Sequence, residues 1–273
     1  MTSKSRGAIG DTLARMEEQA RQREATQVLQ LPLWPEPKRG TPNSFIRSAL
    51  FAAIQGKDRV FMKEATLASQ KGIVVKFTGE QLNQDDLSVW ETLAHLSRQQ
   101  PLGHPCEFTA HGLLKSLGLH TGLSQHKQLH STIIRLTACA VEITHEGKTY
   151  FGSLVKSGVK DELTRHYKIE LNRELIRLFG ESQWTALDWK QRQQLRSKHL
   201  AQALHAFYSS HRQPFPIKLD TLRGYVGSRN FQKAGFKVKL RAALDELVKI
   251  GFLLNYAIED DVVSVERGIN AIE

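Results

Sequence analysis

A short helix, a turn, a longer helix and a β-hairpin follow one another twice along the chain, and this order restricts the fold more than any other feature. In the first copy, Thr109 can cap a short apolar helix that ends at Gly118. The next helix carries Leu129, Ile133 and Leu136 at helical spacing. One apolar face on each helix predicts that the pair packs against a common core.

The second copy has the same order of elements. A small helix over Leu222 to Val226 precedes a longer helix that ends at Ile250 and carries Leu240 and Leu244 on one face. Two short apolar runs around the acidic turn Glu259 to Asp261 then indicate a hairpin. The chain therefore repeats an architecture without an evident repeat of residues.

A helix-turn-helix that runs directly into a hairpin is typical of a winged-helix domain. The sequence therefore predicts an α+β fold that is mainly helical, with two tandem winged-helix domains over residues 45–180 and 181–273. We assign the first wing to the hairpin around His145 to Lys148, followed by the strand HYKIEL. A long helix over Trp184 to His211 is expected to open the second domain.

Residues 1–44 are predicted to form a flexible N-terminal arm and linker. The first 29 residues mix charges of both signs with few large apolar side chains, and four prolines with Gly40 disfavour regular structure from Gln30 to Asn43. Within this linker, QLPLW (Gln30 to Trp34) places apolar anchors where neither is expected to join a core. This favours a docking peptide; packing of the segment on its own domain is the alternative.

The charge balance indicates a polyanionic partner. The chain has 38 Lys and Arg against 28 Asp and Glu, a net charge of +10 and a pI near 9.6. Anionic membrane is the rival, but the sequence has neither a long apolar run nor a signal peptide. Its two cysteines, Cys106 and Cys139, lack zinc-site spacing and are too few for a disulfide framework, so we expect a reducing cytoplasm.

The second domain is the more basic and supplies the main candidate DNA contacts. Between Glu181 and Ile250 there are thirteen Lys and Arg against five acidic residues. A basic helix end entering a major groove would offer its dipole to phosphate and its Arg, Asn and Gln to bases; a solvated basic face is the alternative. The candidates are Arg229, Asn230, Gln232, Lys233, Lys237, Lys239 and Arg241.

The first domain has a less charged candidate helix. Its side chains could touch bases or phosphates, but they also suit an ordinary solvated helix face, and both interpretations stay open. Lys148 and Lys156 could hold phosphates from the wing. The candidates of this domain are Gln125, His126, Lys127, Gln128, His130, Ser131, Thr132, Arg135 and Lys148.

The sequence carries no recognisable catalytic or metal-binding motif. His126 and His130 have a spacing that can bind a metal, yet no third ligand recurs nearby. Phosphate-loop, GxSxG and HExxH motifs are absent from the sequence. We therefore expect no catalytic residues, no metal, no cofactor and no enzymatic activity; a nuclease or relaxase would instead nick supercoiled DNA with a metal.

Four motifs, QLPLW, RSALFAAI, LSVWETLAHLSRQ and FKVKLRAALDELVKIGFL, together resemble the TrfA-type replication initiators of broad-host-range plasmids, from about residue 30 to 267. The resemblance implies two winged-helix domains that bind repeated sites, called iterons, in double-stranded origin DNA. It also implies opening of an adjacent AT-rich segment, with contacts to single-stranded DNA. A dimeric winged-helix transcription regulator is the alternative.

The resemblance further implies protein partners. A peptide of this kind docks the bacterial sliding clamp in such initiators, with Gln30, Leu31, Leu33 and Trp34 as the matching residues. Pro32 within the motif and Trp34 in place of Phe are departures from the usual pattern. The resemblance also implies the host initiator, the replicative helicase and a second copy of the chain as partners, and association with the plasmid or nucleoid. No membrane contact is expected.

Overall fold

The computed structural model describes residues 29–229 and 232–268. Helices account for 38% of these residues and strands for 31%. The α+β class is therefore confirmed, whereas the mainly helical balance is not. Part of the added strand content comes from Lys38–Pro42 and Trp184–Asp188, which the sequence analysis assigned to a linker and to a long helix. Among the described residues, no helix is long and apolar enough to cross a membrane.

The helices and strands alternate along the whole described chain. The helices are α1 (Asn43–Ile46), α2 (Gln84–Ser97), α3 (Ala110–Ser116), α4 (Leu123–Ala138), α5 (Trp189–Gln194), α6 (His199–Ser209), α7 (Leu219–Tyr225) and α8 (Lys233–Lys249), with 3-10 turns at Gly56–Asp58 and Arg173–Leu178. The strands are β1 (Lys38–Pro42), β2 (Phe51–Ala52), β3 (Phe61–Leu67), β4 (Ile73–Glu80), β5 (Leu82–Asn83), β6 (Cys106–Thr109), β7 (Ala140–His145), β8 (Lys148–Gly152), β9 (Val155–Lys160), β10 (His166–Leu171), β11 (Trp184–Asp188), β12 (Ile217–Lys218), β13 (Leu253–Glu259) and β14 (Val262–Arg267).

The repeated order predicted from the sequence is present in the structure. The first unit consists of β6, α3, α4, β9 and β10, and the second unit of β12, α7, α8, β13 and β14. Each unit has a three-stranded antiparallel sheet, ordered β6-β10-β9 in the first and β12-β14-β13 in the second. In both, the strand before the short helix pairs with the last strand of the hairpin. That strand and the hairpin therefore form one sheet, and the two helices lie between them in the sequence.

The predicted first wing is wrong, because β7 and β8 belong to another sheet. Their turn at His145 to Lys148 closes a four-stranded sheet of order β3-β4-β7-β8. Val141 and Ile143 face the core of that sheet with Val75. The hairpin that pairs with the strand before the short helix is β9–β10, whose strand β10 lies beside β6. Two hairpins with similar local patterns follow α4, and only the pairing with β6 distinguishes them.

The single long helix predicted over Trp184 to His211 is also wrong. The segment forms β11, the short helix α5 and then α6, and Ser197 between the helices has a positive φ of 63°. β11 pairs antiparallel with β1, with Lys38 opposite Asp188 and Pro42 opposite Trp184. A partner strand 140 residues away therefore overrides the helical spacing of this segment.

The same pairing of β1 with β11 also holds the predicted linker on the protein. Residues 29–42, here called the strap, lie against α2 and β11, whereas residues 1–28 fall outside the described residues. Leu31 and Trp34 are 2% and 3% exposed, so the linker packs on the protein. Residues 29–37 are irregular as expected, whereas the expectation of irregular structure is wrong for residues 38–42, which form β1. One hydrophobic cluster runs from Leu31 to Trp189 and the other from Leu195 to Val263, apart from Ala206, which packs in the first. The cores thus divide after Trp189 and not at residue 180.

A buried ion pair joins α5, which lies where the two hydrophobic clusters divide, to α2 in the first cluster. Arg192 Nε on α5 lies 2.8 Å from Glu91 Oε2 on α2, and both side chains are at most 1% exposed. Thr41 Oγ1 donates to the other Glu91 oxygen at 2.8 Å, and Arg192 Nη2 donates to the Gln84 carbonyl at 3.1 Å. Burial raises the pKa of the Glu91 carboxyl, and Arg192 opposes that rise. Because a buried charge needs its partner, this contact fixes α5 on α2.

Candidate nucleic-acid interface

Helix α8 presents a basic side to solvent because its apolar side is fully used by the second core. Phe236, Leu240, Leu244 and Leu247 are buried on one side of the helix. The first turn contains no acidic residue, and Gln232 at the N-cap makes no side-chain capping bond. The N-terminal amides and dipole are therefore available to an anion.

Two of the predicted α8 contacts are held by the hairpin turn. Lys233 Nζ lies 2.5 Å from Asp261 Oδ2 and 4.0 Å from Asp220 Oδ2. Lys237 Nζ lies 3.8 Å from Asp261 Oδ1. The hydrogen bond to Asp261 raises the pKa of Lys233 and lowers the pKa of Asp261. Sequence reasoning noted the acidic turn but not that it faces these lysines.

Two other predicted α8 contacts are not paired with the acidic turn. Lys239 and Arg241 are exposed and make no ion pair among the described residues. Lys239 lines a cleft of about 830 Å³ between the two parts of the molecule, and Arg229 lies on the same cleft and donates to the Asp58 carbonyl at 2.5 Å. Gln232 is exposed, and Asn230 lies outside the described residues. The structure thus brings most of this candidate set onto or beside one helix.

Helix α4 of the first unit offers a less charged surface. Lys127 and Ser131 are exposed, and Ile134 beside them is 52% exposed. Gln125 and Gln128 line a smaller cavity of about 230 Å³ that α5 also borders. The two glutamines therefore face the junction with α5, while Lys127 and Ser131 face outward.

Arg135 is the clearest correction among the candidate contacts. Its guanidinium lies 3.1 Å from Asp86 Oδ1 and 3.1 Å from Glu80 Oε2, and its side chain is only 10% exposed. Arg59 holds the other Asp86 oxygen at 3.0 Å. Because Asp86 is fully buried, Arg135 compensates its charge and is not free to contact a ligand. Its partners lie about 50 residues earlier, so helical spacing could not reveal them.

The remaining first-domain candidates are dispersed. Lys148 lies at the exposed turn of β7–β8 and so belongs to the four-stranded sheet. Lys156 on β9 pairs with Glu170 at 2.6 Å. His130 Nδ1 lies 3.1 Å from the Tyr167 hydroxyl, which ties α4 to the hairpin β9–β10. The described residues contain no cluster of three or more metal-ligating side chains, and His126 and His130 are not joined by a third ligand.

Comparison with known proteins places this arrangement in a family. The family model of the TrfA protein matches residues 5–267, which is most of the sequence. The chain belongs to the TrfA family. It is 26% identical over 287 aligned positions to the plasmid replication initiator protein TrfA of Escherichia coli, and the match covers 98% of this chain and 75% of that protein.

Two solved structures share this fold. Domains 2 and 3 of RctB superpose with a TM-score of 0.56 at 12% identity, covering 83% of this chain and 98% of that one. The Pi initiator protein, crystallised with iteron DNA, gives a TM-score of 0.51 at 12% identity, covering 67% and 91%. At such identities the likeness concerns the fold alone.

In this TrfA-family chain the peptide Gln30 to Trp34 packs on its own domain. Trp34 stacks on Phe179, with ring centroids 6.0 Å apart, and its Nε1 donates to His95 Nδ1 at 3.0 Å. Gln30 Nε2 donates to the Arg98 carbonyl at 3.0 Å. Leu33 alone among the apolar residues of the peptide is exposed, at 71%. The expectation that neither anchor joins a core is therefore wrong.

An ion-pair network fastens the strap next to this tryptophan. Glu36 lies 2.5 Å from Arg98 Nη2 and 2.9 Å from His95 Nε2. Hydrogen bonds from Arg98 and then His95 lower the pKa of Glu36 to about 2. A Cβ at Gly40 would lie 2.3 Å from the Trp34 ring, so only glycine allows this close approach. The strap is thus specified by side chains from several elements.

Proposed function

We propose that this chain is a plasmid replication initiator that binds repeated sites in double-stranded origin DNA through two winged-helix units. Its family membership supports this function, as does a fold shared with an initiator crystallised on iteron DNA. The observation that carries the proposal is the exposed basic side of α8, set beside a hairpin, in a chain of net charge +10.

The shared layout of the units supports the winged-helix assignment. In each, the short and the long helix form a helix-turn-helix, and the hairpin after the long helix would be the wing. Helices α4 and α8 would then enter successive major grooves, with Lys239 and Arg241 near phosphates or bases. Because the buried Arg192–Glu91 pair fixes α5 on α2, the two helices would meet DNA at a set spacing.

Binding at this spacing would help to open adjacent DNA. AT-rich steps deform and unstack more easily than others, so strain imposed on a neighbouring duplex is relieved there first. We include single-stranded AT-rich DNA, the host initiator and the replicative helicase as proposed partners of the opened origin. The chain would act by binding alone, and incubation with supercoiled plasmid and Mg²⁺ should leave the DNA unnicked.

Sliding-clamp docking is a second proposed activity, and the strap constrains it. Leu31 and Trp34 are only 2% and 3% exposed, so they must leave the protein core before they can enter a pocket on the clamp. Docking would therefore require residues 30–36 to detach from α2. Leu33→Ala is the suitable test because Leu33 is exposed and its loss leaves the core intact. Clamp binding that is equal for wild type and Leu33→Ala, or absent in both, contradicts this activity.

The main experiment selects binding sites from a random duplex library and then measures affinity for the enriched site. We expect one recurring site. The double variant Lys239→Ala, Arg241→Ala should lose at least about tenfold in affinity, and the salt slope, which is the slope of log affinity against log salt concentration, should fall in magnitude by about 2. The matched control is Lys190→Ala, Lys249→Ala, which removes the same charge from other exposed positions. Equal losses in the two double variants would reject the α8 assignment.

The transcription-regulator alternative uses the same DNA surface and differs in its partners. A regulator would bind one operator and would not open DNA. Permanganate footprinting of an AT-rich segment beside the selected site distinguishes the two. Reactive thymines that appear with the protein support the initiator, and unreactive thymines favour the regulator.

A further inference from the structure

The turn between β13 and β14 is built to hold one carboxylate at the start of α8. Asp260 and Asp261 form a two-residue hairpin turn with positive φ values of 43° and 60°. The Asp261 carbonyl accepts a hydrogen bond of 2.7 Å from the amide of Leu219, the first residue of α7. This bond anchors the turn to the second unit, so the position of Asp261 is set by the fold.

Asp261 faces two of the cations that a DNA strand would meet on α8. Its carboxylate oxygens lie 2.5 Å from Lys233 Nζ and 3.8 Å from Lys237 Nζ. Asp220 adds a second carboxylate, 4.0 Å from Lys233 and 3.2 Å from Arg223. A carboxylate and a phosphate are both oxyanions that bind an ammonium group, so Asp261 occupies the place that a phosphate would take.

The pairing is weak enough to be exchanged. The side chains of Lys233 and Asp261 are 47% and 44% exposed, so water and salt screen their attraction and the ion pair adds little to the stability of the fold. A DNA phosphate can therefore displace the carboxylate, but the displaced Asp261 stays beside the DNA and repels it. The net gain from each lysine–phosphate contact is smaller than it would be without Asp261.

We propose that Asp261 determines specificity by restraining Lys233 and Lys237, which weakens sequence-independent binding to duplex DNA. This inference rests on the proposed function. Phosphate contacts carry nearly all of non-specific binding but only part of specific binding, so their restraint lowers the former more. Lys239 and Arg241, which make no ion pair with the turn, keep their full contribution at a specific site.

The test compares Asp261→Asn with Asp260→Asn on a short duplex of mixed sequence, by fluorescence anisotropy between about 50 and 200 mM salt. Both variants remove one negative charge from the same turn, and asparagine tolerates positive φ. Asp260 makes no ion pair with a described residue. We expect Asp261→Asn to bind about three- to tenfold more tightly than wild type, with a salt slope steeper by about 1 to 2.

Asp260→Asn should change affinity less than about twofold, since it alters only the longer-range field. The gain from Asp261→Asn should also shrink when Lys233→Gln is already present, because the restrained cation is then missing. Equal affinities for the two aspartate variants would overturn the inference while leaving the proposed function intact. A wild type that binds no duplex at all would instead reject the proposed function. Coincident thermal melts confirm that each variant is folded.

Discussion

The two units share one architecture and present different chemistry on the equivalent long helix. Helix α4 exposes Lys127 and Ser131 beside an apolar Ile134, and its Arg135 is turned into the protein by Asp86. Helix α8 exposes several cations along its N-terminal half. Both hairpin turns carry acidic residues, but these have different partners. In the first turn Asp161 accepts hydrogen bonds from the amides of its own turn, whereas in the second turn Asp261 pairs with Lys233 on α8.

This difference shows that the location of acidic partners, and not only the number of basic residues, decides which cations can meet a ligand. In the first unit a buried acid from α2 takes the only arginine of α4. In the second unit the acids lie on an exposed turn, so Lys233 and Lys237 are restrained but not removed from the surface. The second unit is therefore the stronger candidate for phosphate contacts, and the variants below test the contrast.

The largest effect is expected at the strap, which packs on the first part of the chain only. Trp34→Ala removes a buried indole and leaves a cavity, so we expect the free energy of unfolding to fall by about 3 to 5 kcal/mol. Leu33→Ala is the control, because an exposed side chain changes stability by about 0.5 kcal/mol or less. Urea unfolding measures both, and equal losses would mean that the strap is not part of the core.

The next effect concerns the contact between the two parts. Arg192→Ala leaves Glu91 buried without its partner, so we expect a loss of about 3 to 5 kcal/mol, near the lower end if the carboxyl takes up a proton. Lys190→Ala, on the exposed side of the same helix, should change stability by less than about 0.5 kcal/mol. A loss that is confined to one of two separate unfolding transitions would show that the units are energetically independent.

Replacing one arginine on each long helix tests the contrast between the two helices directly. Arg135→Ala breaks a largely buried pair and should lower stability by about 1 to 3 kcal/mol, with little change in DNA affinity once folded. Arg241→Ala should leave stability within about 0.5 kcal/mol and weaken duplex binding by about three- to tenfold. Chemical denaturation and anisotropy on the same preparations give both values. The opposite pattern would reverse the assigned roles of the two helices.

The smallest effect is the pH dependence of the strap. The pKa of Glu36 is lowered from 4.5 to about 2, so its ionised form stabilises the fold above pH 4.5, and this contribution is lost as the pH falls towards 2. The carboxylate is largely exposed, so we expect Glu36→Gln to lower stability by less than about 1 kcal/mol at neutral pH. The difference from wild type should narrow at pH 3, as measured by urea unfolding. A difference that does not change with pH would assign the role to packing.

The sequence predicted the second unit closely. Gly251 ends α8, and the β13–β14 hairpin follows, because the apolar spacing of Leu240, Leu244 and Leu247 and the acidic turn are local signals. It also predicted the cap at Thr109, whose side chain accepts from the Gly112 amide. The family membership was predicted as well, from motifs spread over the chain.

Tertiary pairing decided what local signals could not. The strap packs on the protein because β1 pairs with β11 and Trp34 stacks on Phe179. The proline-rich sequence of the strap does not indicate these partners, because they lie far away in the chain. The same reason explains the wing that was assigned to the wrong hairpin and the arginine assigned to the surface, since β6 and Asp86 are both remote in sequence. The sequence by itself therefore determined the order and type of most elements and the basic character of α8. Only the folded structure decided which strands pair and which charges are neutralised, because these depend on contacts between residues that the chain separates by 50 to 150 positions.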